Sequence, residues 1–190
     1  MYRERNEEKR RVFLEKIEQI DKNTLYYFDE SGFNLEDDTE YGYSKKGTRL
    51  LVPRSGNRGV RLNVLATRNY KHELIAPVIE KQYITKKIFK EYLKVSLLPN
   101  LPKNSYLVMD NASFHHDSKA ELLDDNIETI KDLAKHYQIN IIYLPPYSPD
   151  LNPIEKKWAQ IKYWYKRLKH KHNNKEKFLQ VLLNQKVYAR

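Results

Sequence analysis

The sequence predicts a single mixed α/β domain, in which one β-sheet is flanked by helices. Two observations favour this fold class. The chain has 190 residues, of which 40% are hydrophobic, and this suits one domain with a sizeable core. Strand-like segments come first along the chain, and helix-like and strand-like segments then alternate, which is typical of mixed α/β folds.

The first two elements are predicted to be a helix and a strand. Residues 3–22 are charged and amphipathic, with apolar side chains at helical spacing: Phe13, Ile17 and Ile20. Residues 25–31 alternate in polarity and are rich in aromatic side chains, so we expect a strand that ends near Asp29.

A loop and three further strands are expected next. Residues 32–47 are polar and contain three glycines, which predicts a loop. Residues 48–52 and 60–67 are strand-like and flank a stretch rich in proline, glycine and asparagine, so we expect a hairpin. Residues 73–79 form another predicted strand.

The second half of the chain alternates between helices and strands. Residues 85–98 have apolar side chains at helical spacing, and residues 118–137 are predicted to be helical in two pieces. Residues 105–110 and 140–144 are short apolar runs that predict buried strands.

The last firm element is a helix that begins after a proline-rich loop. Asn152 suits the N-cap and Pro153 suits the first helical position. The helix carries one apolar stripe, which is more typical of core than of a ligand surface: Ile154, Trp158, Ile161 and Tyr165.

The composition excludes several kinds of site. There is no cysteine, so disulfides, thiolate metal sites and cysteine nucleophiles are absent. Any metal must be held by oxygen or imidazole, which favours hard cations unless the six histidines cluster. No apolar run approaches the roughly 18 residues that span a bilayer, and the charged first residues are unlike a signal peptide, so we expect no membrane partner.

The formal net charge of +10 is unevenly distributed along the chain. Residues 1–155 carry 24 basic and 24 acidic side chains, whereas residues 156–190 carry 11 basic side chains and one acid. Residues 41–72 carry eight basic side chains and no acid. On charge alone, a nucleic acid partner and a plain solvated basic surface remain equally good interpretations.

Three acids stand in a context that ordinary surface acids lack. Asp29 is expected to end an aromatic strand, Asp110 to end a buried strand, and Glu155 to lie in the first turn of a helix. Strand ends and a helix start can converge at one edge of a sheet, where buried carboxylates need a cation to neutralise them. Two divalent ions bridged by such carboxylates are the usual apparatus of phosphoryl displacement.

Each of these acids also has a purely structural interpretation. Asp29 could cap the loop that opens at Gly32, and Asp110 could form an Asx turn. Glu155 could complete a capping arrangement with Asn152. The histidines at 115–116 are better explained as surface residues than as metal ligands.

At the same residues the sequence resembles the IS630/Tc1/mariner superfamily of transposases. Residues 26–33 (YYFDESGF) resemble the first catalytic block, and residues 41–50 (YGYSKKGTRL) the segment after it. Residues 107–115 (LVMDNASFH) are similar to the second block, and residues 144–162 (LPPYSPDLNPIEKKWAQIK) to the third. The resemblance covers about residues 24–170.

The resemblance implies a DDE catalytic domain with Asp29, Asp110 and Glu155 as the catalytic, metal-binding triad. It implies a ribonuclease H-like fold, Mg²⁺ as the working ion with Mn²⁺ as substitute, and cleavage and strand transfer of DNA during transposition. The implied partners are transposon ends and target DNA, held by a homodimer in a synaptic complex.

Basic residues near the blocks are the predicted DNA contacts, because acids are absent around them. One group lies just before or at the start of the two strand-like segments 48–52 and 60–67: Lys45, Lys46, Arg49, Arg58 and Arg61. The other lies on the last helix: Lys157, Lys162 and Lys166. We expect the enzyme to act in a bacterial cytoplasm, associated with the nucleoid.

Two departures from the family pattern leave rival interpretations open. The 44 residues between Asp110 and Glu155 exceed the usual spacing by about three helical turns. The usual N-terminal helix-turn-helix region is not recognisable, so we expect a fragment, a truncated reading frame or one product of a split gene. The rivals are an inactive DNA-binding remnant and an unrelated ribonuclease H-like nuclease. We expect a linker helix (1–23), a catalytic domain (24–172) and a basic C-terminal segment (173–190).

Overall fold

Within the described part of the chain, five strands form one sheet. The computed structural model describes residues 6–36, 43–49, 51, 59–112 and 128–184. The strands are β1 (Leu25–Asn34), β2 (Arg61–Arg68), β3 (Leu74–Glu80), β4 (Tyr106–Met109) and β5 (Asn140–Tyr143). Their spatial order is β3-β2-β1-β4-β5, with β1 antiparallel to β2 and parallel to β4. The predicted mixed sheet is therefore confirmed.

Helices flank this sheet, as the sequence predicts. They are α1 (Glu7–Glu18), α2 (Lys86–Glu91), α3 (Ile130–His136), α4 (Ile154–Leu168) and α5 (Lys175–Asn184). α2 continues through a π-helical turn and a 3₁₀ turn to Asn100. No helix of the described residues is long and apolar enough to cross a membrane.

The hydrophobic core occupies both faces of the sheet. On one face, Phe28 of β1 packs with Phe89 of α2. On the other face, Phe33 of β1 packs with Trp158 of α4, and Leu179 of α5 belongs to the same cluster. The predicted stripe of α4 is buried throughout, because it is the surface that meets the sheet.

α1 and α5 pack onto the same sheet as the central elements. Phe13 of α1 is buried against Leu25, Val108 and Ile142 of three parallel strands. α5 buries four side chains, Phe178, Leu179, Leu182 and Leu183, in the cluster beneath α4. The division into a linker helix, a catalytic domain and a C-terminal segment remains a prediction.

The expected end of β1 near Asp29 is wrong. β1 continues to Asn34, because β2 pairs with it in antiparallel register from Tyr27 to Asn34. Its parallel pairing with β4 stops at Tyr27. Asp29 therefore lies inside a strand that has lost one neighbour, and Gly32 belongs to this strand and not to the predicted loop or to a capped turn.

The predicted hairpin between residues 48–52 and 60–67 is also wrong in its described part. Residues 48, 49 and 51 are not in a strand, while residues 50 and 52 lie outside the described residues. β2 pairs instead with β1 and β3. Its side chains from Leu62 to Arg68 are all buried. Such burial is typical of a central strand that has a strand on each side and helices packed on both faces of the sheet.

The remaining elements follow the sequence closely. The predicted strands at 73–79, 105–110 and 140–144 correspond to β3, β4 and β5, and the helix at 85–98 corresponds to α2 with its continuation. Of the helical region at 118–137, α3 is described and residues 118–127 lie outside the described residues. α4 begins at Ile154, one residue after the predicted start.

Candidate active site

The register of the parallel strands brings Asp29 and Asp110 to the same level of the sheet. Tyr27 of β1 pairs with Val108 of β4, and each aspartate lies two residues further along its own segment. Side chains two residues apart point to the same face of a strand. Asp29 and Asp110 therefore approach each other at one edge of the sheet, and both line one cleft.

α4 adds the third carboxylate to this cleft. Glu155 is exposed and lies in the first turn of the helix. The cleft has a volume of about 440 Å³ and is lined by two strand ends, the loop before α4 and the start of α4: Asp29, Asp110, Asn111, Ala112, Leu144, Pro145, Pro146, Tyr147, Ser148, Pro149, Asn152 and Glu155. The three acids singled out from the sequence thus share one cleft.

Two hydrogen bonds tie the helix to the strand at Asp29. The indole Nε1 of Trp158 donates to Asp29 Oδ2 at 3.1 Å. The side-chain amide of Asn152 donates to the backbone oxygen of Phe28 at 3.1 Å. Trp158 lies in α4 and Asn152 lies two residues before its start. These two bonds therefore hold the start of α4 next to Asp29.

The electrostatics of the cleft are set by its three acids. Burial, with the negative charges of Glu155 and Asp110, raises the pKa of Asp29 from 3.8 to about 7. Hydrogen bonds from the backbone of Glu30 and from Trp158 act in the opposite direction. A carboxylate that is difficult to ionise near other carboxylates is stabilised when a cation binds among them.

Asp110 combines the structural role considered for it with a place in the cleft. Its Oδ1 accepts a hydrogen bond from the backbone nitrogen of Ala112 at 3.2 Å, which makes the predicted Asx turn. The turn therefore orients the carboxylate at the cleft edge.

Glu155 does not form the capping arrangement considered for it. Asn152 uses its side-chain oxygen to accept from the backbone nitrogen of Ile154 at 3.4 Å, and its amide group bonds to β1. The carboxylate of Glu155 has no hydrogen bond or ion pair with any described residue. It is therefore available to a ligand in the cleft.

The donor set suits a hard divalent cation. Carboxylate oxygens are the ligands that Mg²⁺ and Mn²⁺ prefer, and Asp29, Asp110 and Glu155 supply three such groups around one cleft. Among the described residues, however, no three acidic or imidazole groups form a ready-made ion site. The chemistry of the donors thus fits a cation, although the carboxylates do not enclose one.

The first group of predicted DNA contacts is only partly placed. Lys45, Lys46 and Arg49 are exposed in the irregular segment 43–49. Arg58 and the two histidines at 115–116 lie outside the described residues. Arg61 is exposed at the start of β2, and its guanidinium lies over Gly32, where any Cβ would collide with it.

On α4 the structure separates the three predicted lysines. Lys162 and Lys166 follow Glu155 by seven and eleven residues, so the 3.6-residue repeat places these two lysines on the same helix face as Glu155. Lys157 is rotated about 200° away from Glu155 on the helix. It is half-buried, and burial with the nearby Arg68 lowers its pKa.

Sequence reasoning missed the contributions of Asn152, Trp158 and Tyr147 to the site. The expectation that Trp158 belongs to the core is correct, yet its indole nitrogen also reaches Asp29. A buried indole usually finds a hydrogen-bond acceptor, so this partner could have been sought. Tyr147 lines the cleft and has a positive φ of 54°. The prolines around it predict a loop but do not indicate a left-handed backbone at this residue.

Comparison with known proteins decides the family. Residues 24–179 match the family described as DDE superfamily endonuclease, which is well over half of the chain. The chain belongs to this family. The predicted resemblance to DDE transposases and the assignment to a class of endonucleases are therefore confirmed. No curated protein is significantly similar to the chain in sequence.

Solved structures with a similar fold include transposase and integrase assemblies. The Mos1 transposase paired-end complex with the left transposon end has a TM-score of 0.62 and 15% identity, covering 84% of this chain and 47% of that chain. The Mos1 strand transfer complex has a TM-score of 0.60 and 15% identity, covering 94% and 56%. The simian T-cell lymphotropic virus intasome has a TM-score of 0.52 and 15% identity, covering 85% and 47%.

These likenesses show the fold. The predicted ribonuclease H-like sheet, shared by transposase and integrase catalytic cores, is confirmed. This DDE endonuclease chain spans about half the length of the proteins that it resembles.

Proposed function

We propose that this chain is the catalytic domain of a DDE transposase of the IS630/Tc1/mariner type, which cleaves DNA and joins the cut strand to a target. The observation that carries the proposal is the meeting of Asp29, Asp110 and Glu155 in one cleft. They come from a strand interior, a strand end and a helix start that are far apart in the sequence. Family membership makes endonucleolytic chemistry the natural use of this cleft.

The three acids would hold the divalent ions, with Mg²⁺ as the working ion and Mn²⁺ as substitute. Two Mos1 paired-end complexes contain Mn and Mg, respectively. When bound, such ions supply Lewis-acid activation of the attacking hydroxyl and stabilisation of the leaving oxygen. The raised pKa of Asp29 supports this role, since a bound cation would offset both the burial and the repulsion from Glu155 and Asp110 that raise it.

The chain's own groups prepare the cleft for this chemistry. Trp158 fixes one oxygen of Asp29, and the Asx turn fixes one oxygen of Asp110. Glu155 has no such restraint among the described residues, so its carboxylate can adjust to the ions and to DNA. No covalent protein–DNA intermediate is required, because water or a DNA 3′-hydroxyl serves as the nucleophile.

DNA is the proposed partner, as transposon ends and as target. Lys162 and Lys166 continue the helix face of Glu155 at about 10 and 16 Å along the axis. At these distances the two lysines are suited to contact phosphates of a DNA strand whose scissile bond lies in the cleft. Lys45, Lys46, Arg49, Arg58 and Arg61 remain proposed contacts near the site, and Lys157 remains one on the other flank.

A homodimer would hold two DNA ends in a synaptic complex, and an enzyme of bacterial DNA would work in the cytoplasm beside the nucleoid. The homodimer is proposed from the family resemblance, and the location from the cysteine-free, DNA-directed character of the sequence. The Mos1 assemblies are described as paired-end and strand transfer complexes, which are states of transposition.

A nicking assay on supercoiled plasmid tests the proposal. The purified chain is incubated with Mg²⁺ or Mn²⁺ and compared with Asp110→Asn and Glu155→Gln. Glu18→Gln, an exposed acid on α1, is the matched control. We expect metal-dependent nicking by the wild type and by the control, and a loss of at least about a hundredfold in both cleft variants.

Two other results would contradict this proposal in different ways. DNA binding without nicking by the wild type, with either ion, would favour the inactive DNA-binding remnant. Nicking that survives Asp110→Asn and Glu155→Gln would place the activity elsewhere or in a contaminating nuclease.

A further inference from the structure

α1 packs onto the cleft region, although the family match begins only at residue 24. Its buried Phe13 belongs to one cluster with Leu144, which also lines the cleft. Leu151, in the turn before α4, packs against the same cluster. The helix is therefore apposed to the loop that forms one wall of the cleft.

A buried arginine makes the polar connection between α1 and this loop. Arg10 donates from Nη1 to Asp150 Oδ1 at 3.0 Å and from Nη2 to Asp150 Oδ2 at 2.7 Å. The Arg10 side chain is only 8% exposed, whereas that of Asp150 is 52% exposed. The pairing raises the pKa of Arg10. A buried guanidinium needs its partner, and the two-pronged geometry fixes the orientation of Asp150.

Asp150 lies at the centre of a short turn that leads directly to the catalytic acids. The 3₁₀ turn Pro149–Leu151 is closed by a hydrogen bond from the backbone nitrogen of Asn152 to Pro149 at 2.9 Å. Asn152 then bonds to Phe28, next to Asp29, and its backbone oxygen accepts from Glu155 at 3.2 Å. A short, hydrogen-bonded path thus joins Arg10 to two acids of the cleft.

We propose that Arg10 is a positioning residue of the active site. It holds the 148–152 turn so that Asn152 and the start of α4 stay aligned with Asp29. α1 is then a working part of the catalytic domain and not a passive linker. This inference rests on the proposed function for its catalytic consequence, but its structural consequence can be measured without activity.

Three variants separate positioning from general stability. Arg10→Met removes the hydrogen bonds and the buried charge while it keeps an apolar stem, so the fold should survive. Arg10→Lys keeps the charge but loses the two-pronged geometry. Arg11→Met is the matched control, because Arg11 lies on the same helix in an exposed pair with Glu8 at 2.8 Å.

The first measurement is the affinity for Mn²⁺ alone, by calorimetry, beside plasmid nicking and thermal unfolding. We expect Arg10→Met to bind Mn²⁺ about tenfold more weakly and to nick more slowly by a similar factor. Its affinity for DNA should change by less than about twofold, because Arg10 is buried and is not one of the proposed phosphate contacts. Arg10→Lys should recover part of the loss, and Arg11→Met should resemble the wild type.

The second measurement is amide hydrogen exchange at Asn152 and Glu155 without metal. We expect about tenfold faster exchange in Arg10→Met at these two amides, because the turn that orders them is released. Unchanged exchange, or equal effects of Arg10→Met and Arg11→Met, would overturn the inference. A wild type that neither binds Mn²⁺ nor nicks would refute the proposed function alone, since the exchange result still decides the role of Arg10.

Discussion

The indole nitrogen of Trp158 lies 3.1 Å from Asp29 Oδ2 and donates a hydrogen bond to it. Trp158 is otherwise buried among apolar side chains of the sheet and of α5. One side chain thus packs the core and orients a carboxylate of the cleft. This dual use explains how an acid within a strand can keep a defined position beside two other acids.

Replacing Trp158 with phenylalanine should separate these two roles. The ring still packs, but the hydrogen bond that lowers the pKa of Asp29 is lost, so that pKa should rise further. We expect metal-dependent nicking to fall by about tenfold and its pH profile to move to higher pH. Trp164→Phe, on the same helix but outside the cleft lining, is the control. Equal profiles for both variants would argue against the orienting role.

Asp29→Asn should stabilise the metal-free fold at neutral and higher pH. The pKa of Asp29 is raised from 3.8 to about 7, so between these values the folded chain binds more protons than the unfolded chain. Stability is then lost as the pH rises from about 4 to 7, by at most about 4 kcal/mol. The asparagine variant lacks this loss.

Urea unfolding with a chelator at several pH values checks this prediction. Wild type and Asp29→Asn should agree in free energy of unfolding near pH 4 and diverge up to pH 7, with the variant more stable. Glu18→Gln, an exposed acid remote from the cleft, should differ by less than about 0.5 kcal/mol. Added Mn²⁺ should stabilise the wild type at pH 8 but not Asp29→Asn. If the free energies of unfolding of the two proteins changed with pH in parallel, the raised pKa of Asp29 would be contradicted.

The lysines on the face of Glu155 should contribute to DNA affinity through phosphate contacts. We expect the double variant Lys162→Gln, Lys166→Gln to reduce the slope of log affinity against log salt by about 2. Lys22 and Lys103 precede β1 and β4, at the sheet edge opposite the cleft, so their double glutamine variant is a matched control. The same change in slope for both pairs would indicate nonspecific charge loss.

Tyr147 should favour DNA binding at some cost in stability. Its φ of 54° is a left-handed conformation that glycine adopts without strain. The residue is 52% exposed and lines the cleft, where its ring could stack on a nucleobase. Tyr147→Gly should raise the unfolding free energy by about 1 kcal/mol and weaken binding of single-stranded DNA by about 1–3 kcal/mol. Tyr147→Phe should retain affinity; loss of affinity there would exclude stacking.

Much of the fold was predictable because it follows from local burial. The apolar run of β4 and the stripe of α4 report which faces are buried, and the structure confirms them. The expected burial of β5 is wrong for most of the strand, because β5 lies at the edge of the described sheet and only Ile142 of its four residues is buried. The meeting of three acids in one cleft was predictable for another reason. Asp29, Asp110 and Glu155 stand in contiguous motifs that resemble the three catalytic blocks of the family, and the resemblance implies their roles.

Pairing between strands was not predictable in the same way. The end of β1 and the supposed hairpin at 48–52 were wrong because alternation shows that a segment is extended but not which neighbour it takes. β1 extends beyond Asp29 only because β2 continues to pair with it. Such a partner lies far away in sequence.

By itself, then, the sequence determined the class of fold, the family and the three acids, since these are written in local patterns and contiguous motifs. Only the tertiary structure decided how the acids are held. The bond from Trp158 to Asp29, the tie from Asn152 to Phe28 and the pair of Arg10 with Asp150 each join residues more than 120 positions apart. Their physical cause is the packing of α1 and α4 on one face of the sheet, which no local pattern specifies.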